Sequence, residues 1–357
     1  MSISRIDRVL AEMKKNNLEQ MLLADPLSIQ YLTGVHVGPG ERLYAFLLKA
    51  DGNHVFFLNR LFHVEKMQYR QVWYSDTDDV IGMIAEEINA EAPLGIDKIW
   101  PARFLLPLME RCPQMKAVLA SDCVDDCRAC KDEQEKELMR EASRINDRVI
   151  ERAAAFIREG MTEKQVAAFI DAEYEKEGCS GPSFTTIVSF GANAADPHHE
   201  PDDTVLKEGD CIIIDMGCKK DGYCSDMTRT YFCKKVSPFQ EQIHDLVRRA
   251  NEKAESIIKP GVRLCDIDAA ARDLIAQEGY GPQFTHRLGH FIGMDVHEKG
   301  DVSAANTAKA KPGMIFSVEP GVYLEGNVGV RIEDLVLVTE DGCEILNSVD
   351  KNWKIIG

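Results

Sequence analysis

Four carboxylates stand where charge needs a partner. The segment GDCIIIDMGCKKDGYCSDMTRTY, starting at Gly209, carries Asp215 and Asp226, while Glu319 stands in SVEPG and Glu333 in VRIED. The three isoleucines and the alternating residues beyond them predict two strands of a hairpin. CIIID has no polar alternation and reads as buried on both faces, where a bare carboxylate is disfavoured. With a loop centred on Lys220-Asp221, Asp215 lies directly opposite Asp226; with one centred on Asp221-Gly222, the two are diagonal. Either register puts them on one face. Opposed side chains lie about 4.5–5.5 Å apart at Cβ, which is repulsive for two carboxylates and suited to clasping cations.

Histidines gather around these acids. Five of the nine (His198, His199, His286, His290, His297) fall in PHHE and THRLGHFIGMDVHE. His286 and His290 have helical i, i+4 spacing, but Gly289 and Gly293 disfavour a continuous metal-binding helix and exclude a zincin-type motif. Glu319 precedes Pro-Gly at a strand end. Glu333 lies in GVRIEDLVLVT, read as one strand leading to the Asp341-Gly342 turn, so Arg331 shares its face by the period of two. An arginine there can orient a metal-binding carboxylate and offset surplus negative charge. Four acids with one or two histidines describe an oxygen-rich site for two divalent ions such as manganese, cobalt, iron or zinc. Such ions sit roughly 3.5–4 Å apart and share bridging carboxylates.

The elements that must position these residues are duplicated. Gly160 to Gly178 and Gly261 to Gly279 are equally long helix-like segments, and each continues into Gly-Pro-x-Phe, at Gly181 and Gly281. Continuing the alignment, GDCIIID from Gly209 falls on GMIFSVE from Gly313, Asp215 on Glu319, Asp226 on Glu333 and His198 on His297. A duplicated α/β unit with acids at equivalent positions implies two halves facing each other across a pseudo-two-fold axis. The region before it mixes an amphipathic start (RIDRVLAEMKK), apolar runs around an Asp-Gly turn (AFLLKADGNHVFFLN) and a helical VIGMIAEEINAEA, which reads as a compact α/β domain. The composition then shifts through a cysteine-bearing linker into a long charged amphipathic helix. The expected domains are residues 1–128 and 129–357.

The chain's 357 residues can bury a large core, and its formal charge of −17 argues against nucleic acid or an anionic membrane as partner. The N-terminus lacks the apolar core of a signal peptide and no stretch approaches the ~20 apolar residues of a membrane span, so a cytoplasmic location is expected. Eleven cysteines, an odd number scattered through apparent strands, suit reduced thiols. Cys112, Cys123, Cys127 and Cys130 imitate a zinc site but lack a second paired knuckle.

Taken in order, Asp215, Asp226, His290, Glu319 and Glu333, in their DMG, GH, EPG and RIED surroundings, resemble the signature of the pita-bread metallopeptidases: methionine aminopeptidase, aminopeptidase P and prolidase. The resemblance covers essentially the whole chain, with a creatinase/prolidase-type N-terminal domain before the duplicated one. It implies those five residues as ligands of two divalent ions, manganese first, with cobalt, zinc or iron as alternatives. Asp226 and Glu333 would bridge, Asp215 would hold one ion, and His290 with Glu319 the other. It further implies a water activated by the ions, Glu319 as proton shuttle, His297 as donor to the developing oxyanion and His198 at the scissile unit or leaving amine. His286 resembles a substrate-side histidine. The N-terminal domain favours the Xaa-Pro branch, so the implied activity is metal-dependent hydrolysis of the bond preceding proline, of the Xaa-Pro dipeptidase (prolidase) type. The alternatives are aminopeptidase P action on longer Xaa-Pro-Yaa peptides and a noncatalytic peptide-binding module. YLTGVHVGPGERL resembles a prolidase loop that reaches the partner's site in a homodimer, although Gly38 to Arg42 lack the Asp and His common there. An arginine that grips the dipeptide carboxylate in some prolidases is replaced by Asp301, with Lys299 as a nearby substitute.

Overall fold

In the computed structural model, which describes residues 4–357, the chain divides between Arg128 and Ala129 into two compact units. The first runs α1 (Arg5–Lys15), β1 (Gln20–Leu23), α2 (Pro26–Thr33), β2 (Ala45–Lys49), β3 (Val55–Asn59), β4 (Arg70–Tyr74), α3 (Val80–Glu87), β5 (Leu94–Ile96), α4 (Ala102–Arg111), β6 (Ala117–Leu119) and α5 (Asp122–Ala129). Its six strands form one mixed sheet in the order β4-β3-β2-β1-β5-β6. The Asp51-Gly52 turn joins β2 to β3 as an antiparallel hairpin, with Gly52 at φ 84°. α3 stops earlier than its helical pattern, because Asn89 is taken by other partners. Its N–H donates to Gln20 Oε1 at 2.9 Å and its side chain accepts from Glu91 N at 3.1 Å.

The expected cysteine linker is helix α5. Cys123, Val124 and Cys127 lie buried on one face at i, i+1, i+4 spacing, an apolar stripe that the cysteines disguise in the sequence. No disulfide joins any of the eleven cysteines, and those near the boundary form no group that could hold a metal among the described residues.

The second unit runs α6 (Glu133–Phe156), α7 (Glu163–Lys176), β7 (Ile187–Phe190), β8 (Cys211–Met216), β9 (Lys219–Lys220), β10 (Tyr223–Cys224), β11 (Met227–Cys233), α8 (Pro238–Ser256), α9 (Leu264–Gln277), β12 (Gly289–Phe291), β13 (Glu298–Val302), β14 (Ile315–Val318), β15 (Gly321–Leu324), β16 (Val328–Arg331), β17 (Asp334–Val338), β18 (Cys343–Ile345) and β19 (Ile355–Ile356). The duplication is visible in the topology. A helix pair precedes the antiparallel triple β7-β8-β11 in one half and β12-β14-β17 in the other. α6 and α7 bury residues such as Ile145, Val149, Val166 and Ile170 against Ile212 and Ile214 of β8; α8 and α9 bury Ile243, Val247, Ile267 and Ala271 in a core with Phe316 and Val336.

The halves join along β11. Glu333 N donates to Thr228 O at 3.1 Å, and the Thr230 hydroxyl donates to Arg331 O at 2.9 Å. Arg229, fully buried, donates to Thr228 O, Glu333 O, Val349 O and the Asp334 carboxylate. The segment read as one strand, GVRIEDLVLVT, is broken at Ile332-Glu333, because the chain leaves the β15/β16 pair there and enters the five-stranded sheet. Among the described residues, no helix is long and apolar enough to cross a membrane.

Candidate metal centre

The hairpin carrying the first two acids takes the Asp221-Gly222 register. Thr228 pairs with Asp215, Tyr223 with Lys220, and both turn residues have positive φ (48° and 85°), as a two-residue type I′ turn requires. Asp226 therefore lies diagonal to Asp215, just before β11. Glu333 occupies the corresponding place before β17, Glu319 directly follows β14, and His290 is the middle residue of β12. Strand ends from both halves thus deliver all five side chains to one cavity of about 420 Å3.

Its centre is buried and crowded with negative charge. Asp226, His290 and Glu333 are at most 4% exposed, and one ligand atom from each lies within 4.8 Å of the others. His290 Nε2 is 3.4 Å from Asp226 Oδ2 and 3.6 Å from Glu319 Oε1, while its Nδ1 contacts Phe291 O at 3.3 Å. A Nδ1–H donated to that carbonyl leaves the Nε2 lone pair facing the acids, the tautomer a metal ligand needs. Burial pushes Asp226 up to about 7, the His290 contact opposing the rise and the Asp215 charge adding to it. Asp215 and Glu333 are also raised, by burial first and by neighbouring carboxylates. Burial disfavours the His290 imidazolium, but Asp226 and Glu319 outweigh it and hold His290 above its ordinary value. Asp215 Oδ1 and Asp226 Oδ1 are buried without any hydrogen-bond partner. Orphaned, desolvated carboxylate oxygens beside an available imidazole nitrogen are the donor set of a hard or borderline divalent ion, so these residues fit a metal.

Arg331 supplies the one guanidinium in this buried centre. It donates to Asp215 Oδ2 (2.7 Å), Tyr323 Oη (2.9 Å), Thr228 Oγ1 (3.1 Å) and Pro197 O (3.3 Å). The Thr228 hydroxyl passes its own hydrogen to Glu333 Oε2 at 2.7 Å, so one threonine fixes a carboxylate of one half and the arginine beside it. Tyr323 likewise links Arg331 to His286 Nε2 at 2.9 Å, and His286 Nδ1 donates to Arg287 O at 2.8 Å. Burial lowers the His286 pKa from its ordinary value, against the opposing pull of the Glu319 charge.

His198, His286 and His297 line the cavity. The His297 ring lies edge-on to His290 at 4.4 Å, and burial, with the neighbouring His290, lowers its pKa. His198 stands at the exposed rim, whereas His199 turns away to Glu163. Lys299 is an exposed residue of β13 and is absent from the cavity wall. The cation on the wall is Arg287, an exposed residue whose guanidinium has no ion-pair partner among the described residues. Sequence reasoning missed Thr228, Tyr323 and Arg287. The signal available for Arg287 was its place between His286 and His290.

Residues 137–340 match the model of metallopeptidase family M24, and residues 5–130 that of the creatinase/prolidase N-terminal domain. An uncharacterised peptidase of Staphylococcus saprophyticus is 35% identical, over 97% of this chain and 100% of its own length. A prolidase from Thermococcus sibiricus superposes with a TM-score of 0.93 at 32% identity, over 98% of each chain. The dipeptidase PepE of Mycobacterium ulcerans gives a TM-score of 0.93 at 35% identity, over 99% of this chain and 97% of its own. With the same architecture over its whole length and a donor cluster in the cavity between its duplicated halves, the chain belongs to metallopeptidase family M24 and carries a creatinase/prolidase-type N-terminal domain.

Proposed function

We propose that this metallopeptidase hydrolyses the bond preceding proline in Xaa-Pro dipeptides, with residues 1–128 as the N-terminal domain and 129–357 as the catalytic one. The observation that carries the reading is the convergence of Asp215, Asp226, His290, Glu319 and Glu333 around orphaned carboxylate oxygens, in a cavity sized for a small ligand. The likeness to a prolidase and a dipeptidase over the full chain supports the choice of substrate. Asp226 and Glu333 would bridge two ions, Asp215 would hold one, and His290 with Glu319 the other. Bound there, two divalent ions supply Lewis acidity, lowering the pKa of water toward neutrality and polarising a peptide carbonyl.

The chain's own groups do the rest. Ser317 Oγ donates to Glu319 Oε1 at 3.2 Å, which steadies the carboxylate and leaves Oε2 to take a proton from the attacking water and hand it to the leaving nitrogen. His297, whose pKa burial lowers, would present an N–H to the carbonyl oxygen as charge develops there. His198 contacts the scissile unit from the rim, and His286, locked by Tyr323 and the Arg287 carbonyl, walls the substrate side.

Dialysis against a chelator should abolish turnover, and reconstitution with manganese or cobalt should restore it at two ions per chain. Elemental analysis finding one ion or fewer in the fully active protein rejects the dinuclear reading. Paired assays of Ala-Pro and Ala-Pro-Yaa decide between dipeptidase and the longer-peptide alternative, which Asp301 in β13 favours by placing a negative charge where a carboxylate clamp would stand.

The prolyl carboxylate is met by Arg287 in this reading. Arg287→Ala is expected to raise KM for dipeptides about ten- to hundredfold, the loss of a charged hydrogen bond of ~1.5–3 kcal/mol. Tripeptides should be affected much less, and Lys299→Ala should leave both nearly unchanged. Equal losses for both peptide lengths would remove Arg287 from this role.

The protein is expected to act as a homodimer in which Gly38 to Arg42 approaches the partner's site. Arg42 would contribute through its backbone, since its guanidinium holds Asp76 through two contacts of 2.8 Å. Light scattering that finds a fully active monomer counts against this.

A further inference from the structure

We infer that Glu163, about 36 positions before His199 in the chain and outside the cavity wall, is a positioning residue that holds His198 at the rim by tying down the loop on which it stands. The inference rests on the reading above in which His198 contacts the substrate.

The loop runs from the end of β7 to β8, and the His198 ring makes no hydrogen bond among the described residues; only its backbone N is held, by Asp196 Oδ1 at 3.0 Å. Its placement therefore depends on the backbone to either side. On one side, Pro197 O accepts from Arg331 Nη1 at 3.3 Å. On the other, His199 Nε2 meets Glu163 Oε2 at 2.7 Å. Glu163 has no exposed surface, and its carboxylate gathers the whole loop. Phe190 N (2.7 Å) and Asn193 Nδ2 (3.1 Å) reach Oε1, and Asp202 N (3.0 Å) reaches Oε2. Asn193 extends the tie to Thr204 Oγ1 at 3.0 Å. The loop also presses on the opposite half: a Cβ on Gly329 would lie 1.6 Å from Ala194 O, so only glycine fits there.

Neither helix capping nor the repeat accounts for this acid. Glu163 opens α7, but Thr162 and Gln165 already form a complete capping box at that end. In the second half the equivalent first residue of α9 is Leu264, buried in the apolar core. The duplicated fold is therefore content with a hydrocarbon at this position. A fully buried carboxylate is unfavourable unless its lone pairs are satisfied, and here every donor that satisfies them comes from the segment carrying His198.

The test is a double-mutant cycle on the manganese-reconstituted full chain with Ala-Pro as substrate. Glu163→Gln is expected to lower kcat about ten- to hundredfold, the effect usual for a group that orients an active-site residue, with metal content unchanged. In a His198→Ala background the same change should have no further effect, because the residue being positioned is gone. Losses that add in the double variant overturn the inference, as does loss of an ion from Glu163→Gln, which would make Glu163, His199 and Asp202 a metal site instead. Should Glu163→Gln fail to fold, His199→Ala is expected to repeat the kcat loss and His199→Gln, which keeps an N–H donor, to recover most of it; equal behaviour of the two variants overturns the inference. If Ala-Pro is not turned over by the parent, the functional reading fails instead. Crystal structures of parent and variant then decide, since an unmoved His198 ring overturns the positioning role.

Discussion

Asp226→Asn should lower turnover of Xaa-Pro dipeptides by about a thousandfold or more while making the metal-free protein more stable at alkaline pH. Both effects follow from one carboxylate buried among like charges. In the proposed two-ion reading Asp226 would hold both ions, so its loss would forfeit several kcal/mol, and each ~1.4 kcal/mol is a factor of ten in rate. Without metal the same charge is a liability. Burial, then the Asp215 and Glu319 charges, carry the Asp226 pKa from 3.8 up to about 7 against the opposing pull of His290. An acid whose folded pKa is raised has its full share of stability below its unfolded value and loses it as pH rises through the folded one. The metal-free parent should therefore weaken between about pH 4 and 7, and the asparagine variant should lack that component. Melting curves of both metal-free proteins at acid and alkaline pH, beside kcat after manganese reconstitution, measure the two halves of the prediction. Turnover within tenfold of the parent would remove Asp226 from the centre.

Arg229→Met is expected to destabilise the protein by about 3–5 kcal/mol, the range for removing one partner of a buried ion pair. Arg229 and Asp334 lie at 2.7 Å with essentially no exposed surface, and the guanidinium also satisfies the carbonyls of Thr228, Glu333 and Val349. Methionine fills part of the volume but takes the guanidinium donor from Glu333 O and Val349 O, and leaves Thr228 O with the Glu333 N–H. Asp334 keeps only the Lys351 ammonium, at 2.8 Å, from its two cations. Because Thr228 and Glu333 meet the centre through their side chains, the surviving folded protein should also bind manganese more weakly. Urea unfolding that shows a loss below ~1 kcal/mol would mean that the join between the halves does not depend on this arginine.

The loop of His198 shows how far local sequence reaches. PHHE marks two histidines as equals, yet one stands at the cavity rim and the other is folded back onto a buried glutamate 36 positions away. GVRIEDLVLVT reads as one strand because its apolar alternation is continuous, but Glu333 N bonds Thr228 O of the other half and the strand is cut there. The cysteines of α5 concealed a helix because cysteine packs like a small hydrophobe while suggesting metal chemistry to a reader of spacing.

By itself the sequence determined the duplicated halves, each a helix leading into sheet, the hairpin, and the four acids set in or beside strands. Those features follow from periods of 2.0 and 3.6 residues and from turn residues, all set by neighbours within a few positions. It left two hairpin registers open, and the left-handed conformations of Asp221 and Gly222 selected one. Only the tertiary structure decided that Thr228 joins Glu333 across 105 positions, that Tyr323 couples Arg331 to His286, and that Arg287 rather than Lys299 faces the cavity. The physical reason is that such pairings are settled by how two sheets pack edge to edge, a geometry in which the direction of each side chain depends on strands contributed from the far half of the chain.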